Sequence, residues 1–183
     1  QRQIQILEDV QPDVIALGTL ETTPHVGDEY TQLVLPKFDP LRQRPPDLQD
    51  ISGISQGKPA YLFYTSGPTG RPKGIVGKLS SLGHFADWEA KTFGIHNQSR
   101  ISQFTTPTFD AFVRDVITPL SVGGTVCIPP QRPTLMGSDP LWEWIETSRV
   151  NLIHCVPSLF SALLDGQWEK RQLPDLKHIL MAG

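Results

Sequence analysis

From residue 79 onward, short apolar runs alternate with amphipathic stretches, and this rhythm restricts the possible folds more than any other feature. Leu79, Leu82, Ala86, Ala90 and Phe93 recur at helical spacing, and Gly94 follows where a C-cap belongs. Residues 101–105 read as a strand. Residues 110–121 read as a helix with Asp110 near its start and Gly123 and Gly124 beyond its end. Residues 125–128 make a strand closed by Pro129 and Pro130. A helix over 140–148 carries Leu141, Trp144 and Ile145; strand 151–156, a helix opened by Pro157 and a last strand over 178–182 follow. Continuous apolar strands between amphipathic helices imply an α/β fold, with a mostly parallel sheet covered by helices on both faces.

Upstream, residues 2–9 have one apolar face and read as a helix that Pro12 stops. Residues 13–17 are a short apolar strand. Residues 19–58 are polar and proline-rich apart from a strand-like break at 33–35, and read as a surface excursion within the domain.

The chain has 183 residues, enough for a real core. Its net charge of −3 argues against nucleic-acid binding and supplies no basic membrane patch. No apolar run is long enough to span a bilayer, and the first residues lack a signal-peptide core. Cys127 and Cys155 lie in apolar strand-like runs, which reads as two buried free thiols and a cytoplasmic setting. His84, His154 and His178 share no metal-ligand spacing, and His154, inside a strand, reads as a satisfied core histidine.

The chemistry concentrates in residues 61–74. Tyr61, Leu62, Phe63 and Tyr64 suit a buried strand. Then come the hydroxyls of Thr65, Ser66 and Thr69, the glycines 67, 70 and 74, and Lys73. Glycines allow several backbone N–H groups to converge on one anion, hydroxyls add donors, and lysine adds a mobile positive charge. A phosphate cradle at a strand end is the expectation. It is not a Walker A loop, because Pro72 precedes Lys73 and Gly74 follows it.

The string Tyr64-Thr-Ser-Gly-Pro-Thr-Gly-Arg-Pro-Lys-Gly74 resembles the Tyr-Thr-Ser-Gly-Thr-Thr-Gly-x-Pro-Lys-Gly signature of the adenylate-forming superfamily. That superfamily covers acyl-CoA synthetases, luciferases and the adenylation domains of nonribosomal peptide synthetases. A second stretch, Gln103 to Asp115 followed by Pro119 to Gly124, resembles the motif in which amino-acid-activating members place an aspartate against the substrate ammonium. Residues 137–158 and 173–183 look like the corresponding later parts.

The resemblance implies an enzyme that activates an amino acid with ATP to give aminoacyl-AMP and pyrophosphate, then passes it to a carrier-protein phosphopantetheine thiol. An aryl or acyl acid ligase is the alternative, disfavoured by Asp110. For these residues alone, a non-catalytic or weakly nucleotide-binding subdomain is the other reading. The resemblance assigns ATP to Thr65, Ser66, Gly67, Thr69, Gly70 and Lys73, with Ser66, Thr69 and Lys73 as the catalytic set. It assigns the amino acid to Phe109, Asp110, Ala111, Arg114, Cys155, Leu180 and Ala182. The cradle, the 106–110 turn, the turn after Cys155 and Ala182 with Gly183 all fall at the carboxyl ends of strands. There they are expected to line one crevice.

Two positions carry open alternatives. Arg114 either pairs with Asp110 four residues earlier on the helix or points into the pocket, favouring an acidic or strongly polar side chain. Pro68 stands where a hydroxyl residue is usual, and either removes a phosphate-facing N–H or stiffens the turn. Elements that by resemblance stack adenine, hold Mg²⁺ through a glutamate and supply a C-terminal subdomain have no match among the 183 residues. The expectation is a partial adenylation domain over 1–183, working with carrier and condensation domains and with the rest of its own fold.

Overall fold

The computed structural model describes residues 2–17, 29–35, 57–66 and 72–181. The chain divides into two compact units, Gln1–Ser55 with Tyr64–Gly74, and Gln56–Phe63 with Ile75–Gly183.

In the first unit, helix α1 (Arg2–Val10) ends where Gln11 turns into the left-handed region at φ 47° and donates its N–H to Leu7 O at 2.8 Å. Strand β1 (Val14–Leu17) follows and pairs in parallel with β2 (Thr31–Val34), Val14 opposite Thr31. The Tyr64 hydroxyl donates to the Asp9 carboxylate. Most of the excursion expected over 19–58 lies outside the described residues.

Strand β3 (Pro59–Ser66) pairs with β4 (Pro72–Lys78) in a two-stranded sheet of its own. This corrects one expectation: among the described residues the cradle strand pairs with β4 and not with the parallel sheet. The stretch after the cradle, to which the sequence pattern assigns no element, is a strand up to the helix that begins at Leu79. Pro72, Gly74 and Gly77 disguise β4, since all three are poor strand formers. Gly77 has a specific reason: a Cβ there would lie 1.8 Å from the Tyr61 ring carbon Cζ. Only a residue without a side chain lets that ring lie over β4.

The second unit is built on a four-stranded parallel sheet in the order β6-β5-β7-β8: β5 (Arg100–Ser102), β6 (Thr125–Cys127), β7 (Leu152–Cys155) and β8 (His178–Met181). Helix α2 (Leu79–Phe93) ends at Gly94, whose φ of 63° is the left-handed cap the sequence suggests. Helices α3 (Ala111–Ser121), α4 (Pro133–Met136), α5 (Ser138–Thr147) and α6 (Pro157–Leu164) complete the alternation.

Side chains of β7 alternate between two packed layers. Ile153 and Cys155 join Leu141, Trp142, Ile145, Leu159 and Leu163 of α5 and α6. Leu152 joins Ala90, Ile95 and Ile101 on the α2 side. Helices therefore cover both faces, as the apolar strands require. Each fully buried Leu or Ile here contributes about 1.5–3 kcal/mol relative to exposure. Trp142, also buried, donates Nε1–H to Leu163 O at 2.8 Å, so its one polar atom is satisfied. Cys127 and Cys155 are free and buried, and burial raises both thiol pKa values. Among the described residues no helix is long and apolar enough to cross a membrane.

Candidate active site

Helix α3 positions the first group. Asp110 precedes it, and its Oδ1 accepts the Ala111 N–H at 2.8 Å. That bond stabilises the helix start, where orphan N–H groups and the helix dipole both favour a carboxylate. The Asp110 side chain is otherwise exposed, on the wall of a cleft of about 450 Å³ in the second unit. Ala111, Val113, Arg114 and Ile117 continue that wall along α3. Tyr61 of β3 and Leu82 and Phe85 of α2 line it as well. A cavity this size suits a small metabolite.

Behind the wall lies a cluster of charges. Glu89 of α2, Asp115 of α3 and His154 of β7 are all buried. His154 Nε2 is 3.1 Å from Glu89 Oε1 in a hydrogen bond. Its Nδ1 is also 3.1 Å from Asp115 Oδ1. This is a charge contact rather than a hydrogen bond, since neither atom has a hydrogen-bond partner. Thr118 donates to Glu89 Oε2 at 2.7 Å, and the Thr105 N–H donates to Asp115 Oδ2 at 3.1 Å. Burial works against charging the His154 ring, but the adjacent Asp115 and Glu89 carboxylates outweigh it. The imidazole pKa is held above its ordinary 6.5.

Arg114 links cluster and cleft. Its Nε is 3.7 Å from Asp115 Oδ1 and 3.9 Å from Glu89 Oε1, and the side chain is 18% exposed. Neither alternative drawn from the sequence describes this alone. Arg114 has no ion pair with Asp110; it faces the buried carboxylates with Nε while contributing to the cleft surface.

The other residues singled out in the sequence are dispersed. Phe109 is 63% exposed in the turn before α3. Leu180 is half-buried and packs on Leu152 and Ile101, on the α2 side of the sheet. Cys155 turns away from α3 into the α5–α6 layer, because successive strand residues face opposite ways. The residue of β7 that faces α3 is His154, one position earlier. Thr65 and Lys73 are exposed, in β3 and at the start of β4, and Ser66 ends β3. Gly67, Thr69, Gly70 and Ala182 lie outside the described residues. Among the described residues no group of three His, Cys, Asp or Glu side chains could hold a metal ion.

Sequence reasoning missed Glu89, Asp115 and Tyr61 at this site. One signal was available: Glu89 falls on the apolar stripe of α2, three residues after Ala86 and four before Phe93, and a charge there demands a buried partner.

The family described as AMP-binding enzyme matches residues 3–183. A dimodular nonribosomal peptide synthase of Bacillus subtilis (strain 168) is 32% identical over 170 residues, covering 90% of this chain and 7% of that protein. The FR901469 synthetase of Dothideomycetidae sp. (strain 11243) is 35% identical over 187 residues, 98% of this chain and 1% of its own length. The chain thus spans a small part of these relatives. Among solved structures, a four-domain nonribosomal peptide synthetase bound to AMP and glycine superposes with a TM-score of 0.76 at 23% identity, over 100% of this chain and 13% of the other. The O-succinylbenzoate coenzyme A synthetase of Bacillus subtilis, in complex with AMP, gives 0.77 at 20% identity, over 100% and 45%. At those identities the structures speak for the fold.

Proposed function

Because the chain belongs to the family of AMP-binding enzymes, we propose that it forms the phosphate-binding and amino-acid-binding part of an adenylation domain. The reaction joins a carboxylate oxygen of the amino acid to the α-phosphorus of ATP and breaks the bond from that phosphorus to the bridging oxygen. Aminoacyl-AMP and pyrophosphate result. Such a step needs positioning and charge stabilisation more than covalent participation by the protein.

In this reading Ser66, Thr69 and Lys73 hold the β- and γ-phosphates, Thr65 supports them, and Gly67 and Gly70 let the backbone approach. Asp110 receives the substrate ammonium, with Phe109, Ala111, Arg114, Leu180 and Ala182 shaping the pocket. His154 takes the place first given to Cys155, since it is the β7 side chain on the α3 side. Mg²⁺ would accompany the nucleotide and offset the negative charge of its phosphates. The aminoacyl group then passes to a phosphopantetheine thiol on a carrier domain, beside condensation domains in a cytoplasmic synthetase. A partial domain over 1–183, completed by further parts of the adenylation fold, belongs to the same proposal.

The observation that carries the reading is Asp110, a carboxylate exposed on a cleft wall in a chain whose relatives include nonribosomal peptide synthases. A carboxylate there pairs with a cationic ammonium and has no counterpart on an uncharged acid. The test is ATP–pyrophosphate exchange by the full gene product. Exchange that requires an added amino acid supports the reading; exchange with no amino acid of a broad panel rejects it.

A further inference from the structure

The cleft wall holds two opposite charges that do not neutralise each other. Asp110 and Arg114 are one helical turn apart and both line the cleft. In helices this order favours an ion pair, yet here the Asp110 carboxylate caps α3 through Ala111. Arg114 is drawn the other way, its Nε toward Glu89 and Asp115. Its Nε is buried without a hydrogen-bond acceptor. Among the described residues, its terminal guanidinium nitrogens have none either.

Three buried side-chain atoms without hydrogen-bond partners gather at this spot: Arg114 Nε, Asp115 Oδ1 and His154 Nδ1. Asp115 Oδ1 and His154 Nδ1 are 3.1 Å apart and Arg114 Nε is 3.7 Å from the same oxygen, so the three offset one another's charge without a well-directed hydrogen bond. Glu89 and Asp115 supply the negative charge that makes a half-buried guanidinium tolerable. They leave its planar donor edge for a ligand.

We propose that Arg114 receives a second carboxylate on the substrate, so that the cleft takes a dicarboxylic amino acid, and that Glu89 is the positioning residue that keeps Arg114 in the wall. This rests on the amino-acid-activating reading. Asp110 takes the ammonium, Arg114 takes one carboxylate with the bidentate geometry a guanidinium offers, and the other carboxylate is left to react.

The test compares aspartate and glutamate with their amides, asparagine and glutamine, in ATP–pyrophosphate exchange by the full gene product. The amides have nearly the same shape and lack the charge. We expect kcat/KM for one acid to exceed that for its amide by about tenfold or more, as a charge-assisted pair implies. Arg114→Ala erases that ratio, and Arg114→Lys keeps part of it. Glu89→Gln raises KM for the acid with a smaller change in kcat, which a purely structural role does not do. The wild-type ratio needs no variant, so a variant that fails to fold does not blunt the test. Amides used as well as acids, exchange with neutral amino acids only, or an acid preference that survives Arg114→Ala each overturns the inference and leaves amino-acid activation standing. Exchange with no amino acid at all overturns both.

Discussion

Glu89 of α2 and His154 of β7, 65 positions apart, meet in a buried hydrogen bond of 3.1 Å between Oε1 and Nε2. The contact joins a helix to the sheet through charge where the surrounding layer is apolar. Thr118 on the second Glu89 oxygen and Asp115 on the far side of the ring extend it to α3. The element that carries Asp110 and Arg114 is thus held to the sheet by a polar network.

Removing one member leaves the others buried and unpaired. Glu89→Ala is expected to cost about 3–5 kcal/mol, as breaking a buried ion pair does. That is a large share of a domain's stability. Glu89→Gln, which keeps shape and one acceptor, costs less. Urea unfolding of both variants checks the order; an Ala variant as stable as the wild type contradicts it.

The same network predicts a pH dependence. Glu89, Asp115 and Arg114 face His154, and the two carboxylates hold its pKa above 6.5. The folded state therefore binds the proton more tightly than the unfolded chain. The resulting stabilisation is complete below pH 6.5 and is lost as pH rises through the elevated value. Stability of the wild type should fall across that window, while His154→Gln should lack this component. An imidazole titrating at or below 6.5 in NMR runs against the account.

Asp110 has a structural role and a proposed substrate role, and two substitutions separate them. Asp110→Ala removes the cap and costs about 0.5–2 kcal/mol in stability. Asp110→Asn retains an N-cap acceptor but not the charge. It should melt close to the wild type while losing amino-acid-dependent exchange. Equal activity in the Asn variant assigns Asp110 to the cap alone.

Gly77 and Tyr61 form a size-matched pair, since a Cβ at 77 overlaps the ring. Gly77→Ala must push Tyr61 out of place in the cleft wall, at about 1–3 kcal/mol for overpacking. If the ring is the obstacle, Tyr61→Ala combined with Gly77→Ala is more stable than additivity predicts. Strict additivity, measured by thermal unfolding, contradicts the pairing.

Much of this was legible in the sequence because apolar period and helix punctuation are local signals. The helix beginning at Asp110 and the cap at Gly94 are set by neighbours within one turn. Strand β4 was not legible, because its proline and glycines argue for a turn until β3 is beside it. The face of a strand residue is likewise non-local: nothing within residues 151–156 says whether His154 or Cys155 meets α3. Helix α5–α6 packing on one side and Asp115 on the other decide it. Glu89 could have been suspected from its place on an apolar stripe, but its partners lie on α3 and β7.

The central claim is that the cleft recognises an amino acid through its ammonium group. The most direct measurement is ATP–pyrophosphate exchange by the full gene product with its best amino acid and with the same acid lacking the α-amino group. The account predicts that removing the amino group lowers kcat/KM by about tenfold or more in the wild type and by much less in Asp110→Asn. Equal use of the two acids by the wild type contradicts it, and makes the site one for a simple carboxylic acid.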